Sequence, residues 1–159
     1  MVVEMIDINA EIISFKSMGN INLGADISAM LPDIYINNIV KESEYFLPDG
    51  ERRLAYNIDN ILTVATLSNY EIISIGCNEK YKGLYKNKLF AGIEMQRVIE
   101  LTSNQRILNG MLIVDGDYGI AFILPSPYDE IADYIEHIPL DLKLNEIYVS
   151  DYSFWSPNK

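Results

Sequence analysis

The sequence predicts an α+β fold, a mainly antiparallel twisted sheet with a few short helices on one face. Three observations lead there. Apolar, β-branched runs of strand length recur roughly every nine to ten residues, the spacing of antiparallel hairpins. Turn signals separate them, with Asn109-Gly110 and Asp115-Gly116 the strongest dipeptides. Helical periodicity, by contrast, is confined to short stretches.

Taken in order, strands are expected at 11–16 and 35–41, both β-branched. A meander should follow. Tyr45-Phe46-Leu47 runs into the turn Pro48-Asp49-Gly50, and strands at 53–58, 61–67 and 70–75 are separated by Asp59-Asn60 and Ser68-Asn69. In the second half Met111-Leu112-Ile113-Val114 lies between the two glycine turns, and 118–124 should return antiparallel to it. A last strand is expected at 146–151, with Ser153-Phe154-Trp155 docking an aromatic end onto the body.

The clearest helix is expected over 127–138. Ser126 would be its N-cap, Pro127 its first residue, Asp129 its capping-box acid, and Pro139 its stop. On it Ile131, Ile135 and Ile138 would face the core, and Asp129, Asp133 and Glu136 would face away. Residues 21–31 can also be laid on 89–99: each reads as a strand end, a glycine, an acid, then apolar positions at helical spacing. This raises the expectation of pseudo-repeated halves, 11–78 and 84–152, within a single domain, 1–159.

Composition narrows the function. The 159 residues are 49 % hydrophobic, enough for one self-sufficient core, and carry a net charge of −11. Such an anion repels nucleic acid and anionic lipid, whose phosphates call for Lys and Arg, and attracts basic proteins. Direct nucleic-acid binding and membrane association are therefore not expected. The start, Met1-Val2-Val3-Glu4-Met5-Ile6-Asp7, lacks a signal-peptide pattern, and no apolar stretch approaches the ~20 residues of a membrane helix. One cysteine, Cys77, precludes an intrachain disulfide. The expected address is the cytosol.

Groups able to do chemistry are scarce. His137 is the only histidine, so a two-His metal site cannot form within one chain, and its place after Asp133 suits a structural role. Cys77 reads as a buried, inert thiol. No nucleophile elbow, phosphate loop or dinucleotide fingerprint is present, and Asp115-Gly116-Asp117 lacks the further ligands of a calcium loop. No cofactor and no metal are expected, and no enzyme. A small-molecule-binding domain or a carboxylate-based enzyme is the alternative.

Charge patterning supplies the candidate surface. Between Asp115 and Asp151 stand Asp115, Asp117, Asp129, Glu130, Asp133, Glu136, Asp141, Glu146 and Asp151, against Lys143 alone among lysines and arginines. Acids on a rigid mount can meet a cationic partner, and Tyr118, Tyr128, Tyr134, Tyr148 and Tyr152 offer aromatic anchors among them. The candidate partner-binding set is Asp115, Asp117, Tyr128, Asp129, Glu130, Asp133, Glu136 and Asp141. The stretch Lys80-Tyr81-Lys82-Gly83-Leu84-Tyr85-Lys86-Asn87-Lys88 is opposite in sign and reads better as a solvated loop than as a base-stacking platform.

The stretch from Asn109-Gly110-Met111 through Pro127-Tyr128-Asp129, with the acidic segment behind it, resembles bacterial immunity proteins of contact-dependent growth inhibition and related polymorphic toxin systems. The two glycine–acid–helix junctions are similar to the repeated helix-plus-sheet units of bacterial β-lactamase inhibitory proteins and small outer-membrane assembly lipoproteins, without their disulfides or lipidation cysteine. The resemblance implies an immunity (antitoxin) protein that binds a toxin and has no reaction of its own. The acidic charge adds the expectation of a basic toxin domain, a nuclease, whose active site the chain would cover.

Overall fold

The computed structural model describes residues 6–157; the Met1–Met5 part of the start discussed above lies outside them. In chain order the elements are β1 (Ser17–Met18), β2 (Ile21–Asn22), α1 (Leu31–Asn37), β3 (Val40–Phe46), β4 (Arg52–Ile58), β5 (Leu62–Leu67), β6 (Ile72–Cys77), β7 (Ile93–Glu94), α2 (Met95–Leu101), β8 (Gln105–Leu108), β9 (Met111–Val114), β10 (Ile120–Ile123), α3 (Tyr128–Ile131), β11 (Lys143–Leu144) and β12 (Glu146–Ser150). Eight strands form one antiparallel sheet in the order β3-β4-β5-β6-β12-β10-β9-β8, and β1-β2 and β7-β11 make two small ladders. The expected α+β class is what the chain adopts.

Alternation of side chains builds the main core. In β4, Leu54, Tyr56 and Ile58 are buried, and their neighbours Ala55 and Asn57 are only half-buried; β5 repeats the pattern with Leu62, Val64 and Thr66. That is a sheet with one covered face. Ile34 of α1 and Met95 and Val98 of α2 pack with Ile75, Ile147, Val149, Phe122 and Leu112 in a single cluster. On the opposite face a smaller cluster of Ile113, Tyr118, Ala121 and Tyr152 covers the β8–β10 end, with Trp155 stacked on Tyr152. The 3-10 turn Ser153–Trp155 thus docks as expected, although Phe154 points outward.

Turn chemistry is where sequence and backbone agree most closely. Asp59 and Asn60 both take positive φ, as do Asn109 and Gly110, the type I′ requirement. At the sheet centre, β6 and β12 pair Gly76 with Tyr148. A side chain at Gly76 would sit 2.3 Å from the Tyr148 ring, so only glycine lets that ring lie across β6.

Several expectations are corrected. Residues 11–16 are not a strand: Ile12 and Ile13 make isolated bridges, and the chain turns at Phe15, whose φ is 61°. Residues 35–37 end α1, and the strand begins at Val40; Pro32 and Asp33 in the first turn favour a helix, which seats Ile34 in the core. The helix expected over 127–138 is interrupted. It forms α3, a single turn, and a 3-10 turn at Ile135–His137. His137 Nδ1 accepts the backbone N–H groups of Asp133 and Tyr134, at 3.1 and 3.4 Å, which competes with continued helix bonding. Ser126 is accordingly no N-cap; Pro127 stands there without a side-chain bond, Asp129 closes no capping box, and Ile131 is 60 % exposed.

Pseudo-repetition is not shown. Gly24 and Gly92 share positive φ, and Asp26 and Glu94 share the N-cap position. Asp26 caps a 3-10 turn through its carboxylate, however, whereas Glu94 makes no capping bond, and only the second half interposes α3, a 3-10 turn and β11 between its last two sheet strands.

Candidate functional site

The eight candidate residues fall into separate places. Asp115 and Asp117 follow β9, whereas α3, with Tyr128, Asp129 and Glu130, lies over Gly110 before β9; a side chain on Gly110 would meet the Asp129 carbonyl at 2.9 Å. Five residue steps along extended chain separate Gly110 from Asp115, roughly 17 Å. One acidic face comprising all eight is therefore not formed.

The two turn acids are committed to the fold. Asp115 Oδ1 accepts the backbone N–H groups of Ser103 and Asn104, at 2.7 and 3.0 Å, tying the end of α2 to the hairpin. Half-buried Asp117 accepts from Ser14 Oγ, Tyr85 Oη and the Gly119 N–H. It joins three segments distant in sequence. Burial, followed by the bond to Asp117, holds the Tyr85 phenol well above its ordinary ionisation range. Nothing in the local sequence of Asp117 announces this role, since two of its partners lie 103 and 32 residues away.

The second acidic group is free to meet a partner. Asp129, Glu130, Asp133, Glu136 and Asp141 are all exposed. Among the described residues the ion pairs are Arg52–Glu44, Arg53–Glu51 and Arg97–Glu100, and none includes these five. Asp133 and Glu136 form one wall of an open groove of about 560 Å³, whose other wall is β8. Arg106 of β8 lines the same groove, but its guanidinium is held by Tyr118 Oη at 2.7 Å and the Trp155 carbonyl at 3.2 Å. Its charge is thereby directed to the aromatic end of the sheet. Asp141 stands apart, where Leu140 and Leu142 carbonyls accept from Gln96 and Met95 at the start of α2.

The tyrosines divide similarly. Tyr118 and Tyr152 are buried, Tyr148 lies over Gly76, and Tyr128 packs on the main core. Tyr134, beside Asp133 and edge-on to His137, is the exposed ring of this group. In the lysine-rich stretch, Tyr81 and Tyr85 are buried, so neither offers a face on which a base could stack.

Neither candidate nucleophile is poised. Cys77 is buried, and burial pushes its thiol up to about 12, far from the thiolate a nucleophile requires. His137 already uses Nδ1 as an acceptor for backbone amides. Among the described residues no cluster of His, Cys, Asp and Glu could hold a metal ion, and no helix is long and apolar enough to cross a membrane. Compared with protein-family models, curated proteins and solved structures, the chain matches none.

Proposed function

We propose that the chain is a protein-binding inhibitor of the immunity (antitoxin) type that acts in the cytosol on a basic toxin domain, a nuclease in the first instance. The observation that carries this reading is the set of exposed carboxylates on and beside α3 that form no ion pair among the described residues: Asp129, Glu130, Asp133 and Glu136. An unpaired surface acid gains little from its own protein and more from a partner's lysine or arginine, whose approach the −11 charge accelerates. Lysines and arginines that hold nucleic-acid phosphates would pair with these acids, and the bulk of the domain would cover the active site.

Rim pairs contribute only about 0–1 kcal/mol each, so affinity also needs a desolvated anchor. Tyr134, exposed beside Asp133 in the same wall of the groove, is the side chain best placed for it. The test is protection. Cells expressing the basic C-terminal domain of a toxin encoded beside this gene should survive with the wild-type chain and die with D129K/D133K/E136K. Equal protection by a folded triple variant removes this surface from the proposal.

A further inference from the structure

The other edge of the large sheet has the features of a strand-accepting surface. β3 is seven residues long, exposed along nearly its whole length, and, among the described residues, bonded on one side only, to β4. The rungs outside it fix which backbone groups are free. Asp59 N–H donates to the Ile39 carbonyl and Leu47 N–H to the Glu51 carbonyl, so alternation directs Lys41, Ser43 and Tyr45 into the ladder and Val40, Glu42, Glu44 and Phe46 outward. Exposed apolar side chains flank this edge: Ile36 and Ile39 before it, 76 % and 73 % exposed, and Phe46 at its end, 62 % exposed.

Natural sheets blunt such an edge with charge, and here the charge also selects. In any two-fold antiparallel pairing of β3 with a second copy centred on Glu42, Ser43 or Glu44, a glutamate falls opposite a glutamate. A second copy is therefore a poor occupant. A strand with cations at those places is a good one. Glu42 takes the Tyr35 hydroxyl on Oε1 and Glu44 takes Arg52 on Oε2, which leaves one oxygen of each for an incoming cation.

We infer that the β3 edge binds an extended segment of a partner protein by strand addition, antiparallel, with Lys or Arg opposite Glu42 and Glu44 and apolar residues opposite Val40 and Phe46. Backbone bonds would hold the segment and the side-chain pairs would set its register. This surface lies at the sheet edge opposite β8, and the inference stands independently of the acidic groove.

The probe is the capped heptapeptide Val-Thr-Lys-Thr-Lys-Thr-Val, titrated into the full ¹⁵N-labelled chain. Saturable shifts and at least ~10-fold slower amide exchange are expected at Val40, Glu42, Glu44 and Phe46, with Lys41, Ser43 and Tyr45 unchanged. E42K/E44K, checked for folding by circular dichroism, should bind this peptide at least ~10-fold more weakly and prefer the analogue with Glu in place of Lys. D129K/D133K/E136K should bind it like the wild type. Four results would overturn the inference: no saturable shift at β3, shifts mapping to another surface, affinity indifferent to the charge exchange, or concentration-dependent protection of the edge amides without peptide, which would place a second copy there.

Discussion

Replacing Gly76 with alanine puts a methyl group where the Tyr148 ring already lies, 2.3, 2.4 and 2.6 Å from three of its carbons. Carbon atoms rest about 3.5–4.0 Å apart, so the ring must withdraw by more than ~1 Å or the β6–β12 pair must part. Overpacking of this kind costs about 1–3 kcal/mol, whereas Gly→Ala in a strand otherwise gains ~0.5–1 kcal/mol. The net expectation is a loss of up to about 2.5 kcal/mol, or a thermal midpoint lower by up to ~10 °C for a domain of this size. Urea denaturation followed by circular dichroism reads it directly. The cost should vanish in the Tyr148→Ala background, because the obstacle is then gone. Equal or greater stability of G76A with Tyr148 present would refute the packing described for the sheet centre.

Asp117→Ala should destabilise the fold by about 2–4 kcal/mol, since three donors from separate segments lose one shared carboxylate; an effect below ~0.5 kcal/mol would contradict that role. His137→Ala should speed hydrogen exchange at the Asp133 and Tyr134 amides and leave the β4–β5 amides unchanged. Unchanged exchange at 133 and 134 would show that His137 does not hold the interrupted helix. Burial raises Cys77 from 9.0 to about 12 and Tyr81 and Tyr152 from 10.0 to about 12. The neutral forms are favoured in the folded state, so their stabilisation is complete below pH 9 and is lost as pH climbs towards 12. Stability should therefore fall above pH 9, read by urea denaturation at a series of pH values; stability unchanged from about pH 8 to about pH 11 would refute it.

The parts of the fold legible in sequence are those in which each residue's role is local. β4 and β5 alternate buried and half-buried positions because one face is covered, and Asn109-Gly110 specifies its own turn. Where two local patterns compete, reading fails. Ile34 and Ile36 favour a strand by β-branching, but Pro32 and Asp33 start a helix, and burial of Ile34 decides the matter. Ile131, Ile135 and Ile138 have helical spacing, yet one imidazole nitrogen accepting two amides breaks the run. Asp117 resembled the other acids in sequence and differs from them only because folding brings Ser14 and Tyr85 to it. The exposed acids beside α3 were legible as charge; that they form no ion pair among the described residues was not, because Arg106 stands at the same groove and is diverted only by Tyr118 and Trp155.

The central claim is that exposed acids with no ion pair among the described residues draw in a cationic protein. Stopped-flow association of this chain with the proposed partner, a basic toxin domain, measured across ionic strength, tests it most directly. The wild-type rate constant should fall steeply with salt, and D129K/D133K/E136K should associate ~10- to 100-fold more slowly at low salt with a much flatter dependence. Identical rates and identical salt slopes for the two chains would contradict the account.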